Sequence, residues 1–316
     1  MQLVRFIQVG NELNTTIHLL RDKLNAIQDQ FYFIFEDDII DLKSSKENQT
    51  MEFSIAILEN ELNHYLTDHN YIEYAISITN LKLTDEFFYT STERVACISI
   101  VDWPSFTSIS IIKGLEFITA AILIDRKIDT DIHEKPLGCP NDLCDDKKEI
   151  DIELNKCDYC PSCKRTIYLA IEKGRISLTE VTAIYRIFDD VAERKYGFVI
   201  MPFKPELQNV YITINKALTS ENYICRRADE ISRSGSIVGI VLEQIGRSSL
   251  IVADLTDANP NVFYELGYAH ALGKNTILIV QEGHSVPFDT RHIQYLKYNI
   301  NDLENTLIKG LKQYLV

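Results

Sequence analysis

The chain lacks most of the features that place a protein quickly in a functional class. Its 32 lysines and arginines are outnumbered by 46 aspartates and glutamates, and the formal net charge of −14 gives a nucleic-acid partner no electrostatic support. No apolar run approaches the roughly 20 residues that a membrane-spanning helix needs. The first residues, MQLVRFIQVG, lack the charged stretch and continuous apolar core of a signal peptide. We therefore expect a cytoplasmic protein with no membrane partner.

Glycine-rich nucleotide motifs are also missing. None of the 12 glycines forms a GxGxxG pattern after the first strand of the C-terminal half, so a Rossmann-type oxidoreductase is not supported. A length of 316 residues is typical of about two domains. We predict a mixed α+β domain over residues 1–165, a linker helix over 166–195 and a second domain over 196–316.

Short apolar strands alternate with helical patterns in the C-terminal half. The strands are rich in isoleucine and valine along their whole length, which is typical of a parallel sheet covered by helices on both faces. The pattern predicts an α/β fold with a doubly wound, flavodoxin-like parallel sheet. The predicted strands are GFVIMPF, YICRRA, SLIVADL, TILIVQ and HIQYLKY.

The N-terminal half is less regular. Its strands and helices do not alternate as clearly, which predicts a mixed α+β domain that ends in a group of cysteines. The predicted strands are LVRFIQV, FYFIFED, YIEYAISITN and RVACISIVD. The predicted helices are NTTIHLLRDKLNAIQ, FSIAILENELNHYLTD and SIIKGLEFITAAILIDR.

One carboxylate of the C-terminal half has an unusual setting. Asn259 and Pro260 form a good helix start, as N-cap and first helical residue, and Glu265 falls in the second turn, on the same side as Asn261 and Tyr268. The apolar side facing the sheet would be formed by Phe263, Leu266, Gly267 and Ala271, with the glycine allowing a close approach. A shielded carboxylate near a helix N-terminus suits a nucleophile or a stabiliser of positive charge at a sugar carbon. An ordinary solvated glutamate is the alternative.

Three stretches carry a family resemblance: MPF after the first C-terminal strand, the block VADLTDANPNVFYELGYAHALGK, and VPFDTRHIQYLKY. They resemble the nucleoside 2-deoxyribosyltransferase-like and TIR-like families of bacterial proteins. The resemblance implies that Glu265 attacks or stabilises C1 of a ribose while the N-glycosidic bond breaks. It also implies that Asp254, at the end of a strand, holds the sugar hydroxyls or the base.

The same resemblance implies further substrate contacts. Asp229 would make a polar contact, and Asn259 and Asn261 match family positions either as helix caps or as ligand contacts. The base or ribose would be walled by Met201, Pro202 and Phe203. We add Tyr268 as a candidate because it shares a helix side with Glu265.

A phosphate contact is a further candidate. Ser234 and Gly235 stand at a helix start, where backbone N–H groups could hold a phosphate; a plain N-cap is the alternative. A phosphate there would favour a nucleotide or dinucleotide over a free nucleoside. One carboxylate suffices for a cationic nicotinamide, whereas a neutral base needs a second acid, for which Asp254 is the nearest candidate.

Cysteines cluster between the two halves. Five of the seven fall within 25 residues, and a C-x4-C pair followed by a C-x2-C pair at zinc-ribbon distance indicates a metal site. We predict a structural Zn²⁺ held by Cys139, Cys144, Cys160 and Cys163. Cys157 is an alternate ligand and His133 a less favoured one; a group of free thiols is the competing interpretation.

The cysteine-rich segment also resembles that of archaemetzincin-like metallopeptidases. Those enzymes carry a catalytic zinc on HExxH, but LEFITAAILIDRK stands in place of that helix here and contains no histidine. The resemblance therefore implies a recognition, assembly or regulatory module without peptidase activity. A peptidase in this half would need a second, cysteine-independent zinc.

The sequence favours an enzyme that cleaves or transfers the N-glycosidic bond of a nucleotide, a nucleoside or an NAD-type dinucleotide. The TIR-like resemblance implies a toxic effector in bacterial antiviral defence. Its N-terminal domain would bind a protein partner or another copy of the chain. The competing hypothesis is a non-catalytic nucleotide sensor coupled to the zinc domain.

Overall fold

The computed structural model describes residues 1–10, 13–37, 39–40, 52–53, 55–83, 88–128, 133, 137–142, 149–230, 237–284 and 294–315. Contacts divide the chain into two compact units, Met1–Glu193 and Arg194–Val316. The segment over 166–193 lies in the first unit. That the units are the independent domains expected from the sequence stays a prediction.

The N-terminal unit is built on a mainly parallel sheet. Its strands are β1 (Gln2–Val9), β2 (Phe31–Ile34), β3 (Ile39–Ile40), β4 (Glu52–Phe53), β5 (Tyr74–Thr79), β6 (Lys82–Leu83), β7 (Tyr89–Ser91) and β8 (Val95–Ser99). The order in the main sheet is β2-β1-β5-β8-β7, and β3 also pairs with β1. Of these pairings, only β7 with β8 is antiparallel, and β4 and β6 form a separate parallel pair.

Helices cover both faces of this sheet. They are α1 (Asn14–Ile27), α2 (Ile55–Asp68), α3 (Trp103–Phe106), α4 (Ile111–Asp125), α5 (Ile150–Lys156), α6 (Pro161–Glu172) and α7 (Leu178–Val191). Side chains alternate along β1: Phe6 joins the core formed with α1, α4 and α7, whereas Ile7 joins the core formed with α2. The helices and strands predicted for this half are present, but its strands pair mostly in parallel.

A charged contact ties three of these helices together. Glu116 of α4 is fully buried, and the ammonium of Lys23 in α1 lies 2.9 Å from its carboxylate and 2.8 Å from that of Asp190 in α7. A buried carboxylate is costly without such a partner. Helix α7 begins with a capping box between Ser177 and Glu180.

Among the described residues, no helix combines the length and apolar character that a membrane crossing requires.

The C-terminal unit contains an all-parallel sheet. Its strands are β9 (Lys195–Ile200), β10 (Tyr223–Arg227), β11 (Leu250–Asp254), β12 (Asn275–Gln281) and β13 (Tyr295–Tyr298), in the order β10-β9-β11-β12-β13. Counted within the unit, this order is 2-1-3-4-5, and every pairing is parallel. The carboxyl ends of all five strands therefore meet at one edge of the sheet.

Helices again cover both faces, so the predicted doubly wound α/β fold is confirmed. They are α8 (Gln208–Ser220), α9 (Ile237–Arg247), α10 (Pro260–Ala271) and α11 (Lys309–Tyr314). Shorter turns lie at Pro205–Leu207, Ala228–Glu230, Thr256–Ala258 and Glu304–Ile308. One core packs the sheet against α8 and α11, and the other packs it against α9 and α10.

The face of α10 that meets the sheet differs from the predicted one. Val262, Leu266 and Ala269 are buried, whereas Gly267 faces open space, with no atom within 4 Å of the position of a Cβ. The predicted close approach at Gly267 is wrong, because each residue turns the helix by about 100° and places position 267 well outside the stripe centred on Leu266.

Two glycines in helices offer opposite tests of this packing. In Gly114→Ala, the new Cβ of α4 would lie 2.2 Å from two atoms of the Trp103 ring, and we expect the free energy of unfolding to fall by about 1–3 kcal/mol. In the control Gly267→Ala, we expect a rise of about 0.5–1 kcal/mol from helix propensity. Denaturant unfolding followed by circular dichroism measures both. A Gly114→Ala protein as stable as wild type would contradict the contact with Trp103.

Candidate functional site

Asp254 stands at the carboxyl end of β11 and is closed off from solvent, with 0 % of its surface exposed. Its Oδ1 accepts hydrogen bonds from the backbone N–H of Thr256, at 2.9 Å, and from the hydroxyl of the same residue. Its Oδ2 accepts a hydrogen bond of 2.9 Å from the hydroxyl of Tyr298, at the end of β13. Burial raises the pKa of Asp254, and these donors oppose that shift. Both oxygens are therefore engaged within the protein.

Glu265 has the opposite environment. It lies in the second turn of α10, half-buried beside the apolar stripe of Val262, Leu266 and Ala269. Burial raises its pKa to about 7, and no hydrogen bond or charge from the described residues contributes to that shift. Helix α10 begins after the carboxyl end of β11, so the turn that carries Glu265 lies near the carboxyl edge of the sheet. Among the residues that the structure describes, the Glu265 carboxyl therefore has no partner, and it is poorly hydrated.

The loop after β9 holds the three residues predicted to wall the base or ribose, and that role stays a prediction. Met201 and Pro202 are buried, whereas Phe203 is 61 % exposed and presents its ring at the carboxyl edge. The guanidinium of Arg227, at the end of β10, lies 5.7 Å from the centre of that ring. Phe203 therefore offers an aromatic face that a planar base could stack on.

Arg227 is a buried cation that sequence reasoning missed. Its Nε and Nη2 donate to the two oxygens of Asp229, at 2.6 and 2.7 Å, and Nη2 also donates to Gln208. This hydrogen bonding lowers the pKa of Asp229. The Arg227 guanidinium also lies 4.1 Å from the ring centre of Tyr211. Asp229, predicted as a substrate contact, is therefore paired with an arginine.

A second set of charged side chains joins three loops at the carboxyl edge of the sheet. The carboxylate of Asp257, between β11 and α10, lies 2.7 Å from the ammonium of Lys204 and 3.3 Å from Nδ1 of His284. Lys204 follows β9 and His284 follows β12. The Lys204 hydrogen bond lowers the pKa of Asp257, so this carboxylate stays ionised. Asp257 has a φ of 65°, in the left-handed region that asparagine and aspartate tolerate.

For the remaining candidate substrate contacts, the structure gives a helix cap, the degree of exposure, or no description. The side chain of Asn259 accepts from the backbone N–H of Asn261, so it caps α10 as predicted, while Asn261 is exposed and Tyr268 is half-buried. Substrate contact by any of these residues stays a prediction. Ser234 and Gly235 lie outside the described residues.

The predicted metal centre lies in the N-terminal unit. The ligand atoms of four residues lie within 4.8 Å of one another: His133, Cys139, Cys160 and Cys163. Nε2 of His133 is 3.5 Å from Sγ of Cys160 and 3.4 Å from Sγ of Cys163. Tetrahedral zinc with nitrogen and sulfur ligands has an N–S edge of roughly 3.5 Å. The cluster therefore fits a zinc-sized ion and includes the histidine that the sequence ranked low.

Surrounding groups orient these ligands. Asp142 accepts from Nδ1 of His133 at 2.8 Å and from the backbone N–H of Cys139 at 2.9 Å, which leaves Nε2 facing the sulfurs. Cys160 caps α6, and its sulfur accepts from the backbone N–H of Cys163. The hydrogen bond from Cys163 lowers the pKa of Cys139 to about 6. Such thiolate-favouring contacts are typical of metal ligands.

The other two predicted cysteines differ in what the structure shows of them. Cys157 donates its thiol to the carbonyl of Leu154 and is not part of the group of four. Cys144 lies outside the described residues. Measuring the metal content of single-residue variants distinguishes the possible ligand sets.

Comparisons with known proteins give similarity in fold over part of the chain. No family model and no curated protein matches it. It is similar to a CMP N-glycosidase of Clostridium botulinum (19% identity, TM-score 0.32, 38% of this chain and 99% of the other). It is also similar to the TIR domain of a Toll-related receptor from Hydra magnipapillata (15% identity, TM-score 0.32, 38% of this chain and 96% of the other). A third similar structure is a 2-deoxyribosyltransferase from Bacillus psychrosaccharolyticus (18% identity, TM-score 0.30, 37% of this chain and 95% of the other). The archaemetzincin-like resemblance stays a prediction.

Metal content distinguishes the possible ligands. We expect one zinc ion per chain by mass spectrometry of the purified protein, and we expect Cys163→Ser to lose it. Cys157→Ser is the control and should keep the ion, because its thiol is bound to Leu154. Loss in His133→Gln but not in Cys144→Ser would select the histidine-containing set. A Cys163→Ser protein that keeps its zinc would contradict the site.

The raised pKa of Glu265 makes a prediction about stability. Between about pH 4.5 and 7 the folded chain binds a proton at Glu265 that the unfolded chain releases, so this contribution to stability is lost as the pH rises through about 7. Glu265→Gln removes the buried charge. We expect its free energy of unfolding to exceed that of wild type by about 1–2 kcal/mol at pH 8.5, a value kept small because partial exposure screens the charge. At pH 4.5 we expect no difference, because the carboxyl of the folded wild type is then protonated. Equal stability at both pH values would show that Glu265 is an ordinary solvated glutamate.

Proposed function

We propose that the C-terminal unit cleaves or transfers the N-glycosidic bond of a nucleotide, a nucleoside or an NAD-type dinucleotide, with Glu265 acting at the anomeric carbon. The observation that carries this proposal is the half-buried carboxyl of Glu265, which has no ion pair or hydrogen bond among the described residues and lies in the helix that begins at the carboxyl edge of the sheet. The family resemblance of the block VADLTDANPNVFYELGYAHALGK, which contains Glu265, supports the same residue.

The proposed chemistry matches this environment. Breaking an N-glycosidic bond gives the anomeric carbon oxocarbenium character, and a carboxylate beside it either stabilises the charge or bonds to the carbon. A carboxylate that is poorly hydrated and has no cationic partner gains most from meeting a developing positive charge. Of the acidic residues discussed at this edge, Asp257 and Asp229 are ion-paired, and Asp254 accepts hydrogen bonds from Thr256 and Tyr298. Glu265 has neither kind of partner among the described residues.

Asp254 takes a supporting part in this proposal. Because both of its oxygens accept hydrogen bonds from Thr256 and Tyr298, it acts on the loop that leads into α10 and thereby on the position of Glu265. Phe203 and the buried Met201 and Pro202 would provide the wall for the base or ribose. A cationic base such as nicotinamide then leaves without a proton, so an NAD-type substrate needs only Glu265.

The N-terminal unit would regulate this activity. We propose that its metal centre is structural and binds zinc, and that the unit binds a protein partner or a second copy of the chain. The motif resemblance to TIR-like effectors supports a toxic role in bacterial antiviral defence, exerted in the cytoplasm by depletion of a nucleotide pool. The large negative charge of the chain agrees with a small-molecule substrate rather than a nucleic acid.

Released base is the direct measurement. We expect purified protein to release nicotinamide from NAD, or a base from a nucleoside or nucleotide, and we expect Glu265→Gln to reduce this at least about 1,000-fold. Because Glu265 must be ionised, kcat/KM should rise with pH up to about 7 and level off above it. Loss of the NAD pool in cells that express the wild type, but not the variant, is the cellular counterpart.

Three other outcomes would contradict the proposal. Saturable nucleotide binding without any released base, even when the N-terminal unit carries its metal, would instead identify a nucleotide sensor. Release that Glu265→Gln leaves unchanged would show that another group acts at the anomeric carbon. A rate that falls as the pH rises through 7 would make Glu265 a proton donor.

A further inference from the structure

The contact between Asp257 and His284 has the geometry of an oriented imidazole. Asp257 faces Nδ1 of the ring at 3.3 Å, and Lys204 holds the same carboxylate from the other side at 2.7 Å. Within the described part of the chain, Nε2 of His284 has no hydrogen-bond partner. The His284 side chain is 35% exposed.

This imidazole lies at the same edge of the sheet as Glu265. Asp257 precedes the first residue of α10 by three positions, and Glu265 lies five residues into that helix, a rise of about 8 Å. Asp257, which contacts the imidazole, thus lies eight positions before Glu265 on the same turn-and-helix segment.

The proposed function leaves one chemical need unmet. A neutral purine or pyrimidine is a poor leaving group unless a nitrogen or carbonyl oxygen of the base takes up a proton. Asp254 was the nearest candidate in the sequence, but it is fully buried with both oxygens occupied. Asp229 is bound by Arg227 and stays ionised.

We propose that His284 is the proton donor to neutral leaving bases, with Asp257 as its positioning residue; this rests on the proposed function. The bond between the anomeric carbon and the base nitrogen breaks, and its electron pair stays with the base. The protonated imidazole gives its Nε2 proton to the base, while Glu265 stabilises the cationic sugar. Water then adds to the anomeric carbon, and the proton it loses returns to Nε2.

The proposal also predicts which substrates depend on His284. Nicotinamide is already a cation in NAD and leaves as a neutral molecule, so its release needs no proton from the imidazole. Loss of His284 should therefore change selectivity among substrates and should not lower every rate alike. A merely structural contact between the three loops would affect both kinds of substrate together.

The experiment compares NAD with a set of neutral nucleosides and their 5′-phosphates, using full-length protein. For His284→Gln we expect release of neutral bases to fall about 100-fold or more in kcat, while release of nicotinamide stays within about threefold of wild type. Asp257→Asn should shift the selectivity in the same direction but less. His270→Gln is the matched control, because that histidine lies at the far end of α10 and contacts Thr276.

The outcomes separate this inference from the function it rests on. Loss of both activities in Glu265→Gln, together with unchanged neutral-base release in His284→Gln, would overturn the role of His284 alone. Equal loss of both activities in His284→Gln would make it structural. A wild type that releases nicotinamide but no neutral base would also overturn it. A wild type that releases no base from any substrate would overturn the proposed function itself.

Discussion

The buried carboxylate of Asp254 holds the C-terminal site together. A carboxylate removed from water costs several kcal/mol unless donors replace its hydration, and Thr256 and Tyr298 supply those donors here. The contacts join the end of β11 to the end of β13 and form the turn that precedes α10. The hydroxyl of Thr256 also accepts from the backbone N–H of Gln281 at 3.0 Å, which adds β12 to the group. The position of Glu265 depends on this turn.

Three acidic side chains near this edge have three different environments. Asp254 is enclosed by hydrogen-bond donors, Asp257 is paired with a cation, and Glu265 has neither among the described residues. The first arrangement fixes the backbone, and the second keeps a charge beside His284. In the proposed function, the third leaves a carboxyl that responds to a developing positive charge. Such a division of tasks by environment is how a site assigns different work to groups of the same chemical type.

Periodicity predicted the C-terminal strands and helices well, because continuous apolar strands and the Asn-Pro helix start are local signals. It misplaced Gly267, since the sheet-facing stripe of a helix shifts by about 100° with each residue. It could not find the contact of Tyr298 with Asp254, or of His284 with Asp257, because these pairs are distant in sequence and form only when the strands align. His133 was ranked low because cysteine spacing alone does not reveal that Asp142 turns its ring towards the sulfurs.

The metal cluster has a consequence for how the protein matures. The four candidate ligands come from residue 133, from residue 139 and from the start of α6, so an ion bound by them would close a loop of about thirty residues. Without a bound ion, that loop would keep more conformational entropy, and the apolar contacts of α5 and α6 with the core of the unit would have to hold it alone. Completion of the N-terminal unit in newly synthesised chains would then depend on metal supply, whereas the C-terminal unit contains none of the four ligands.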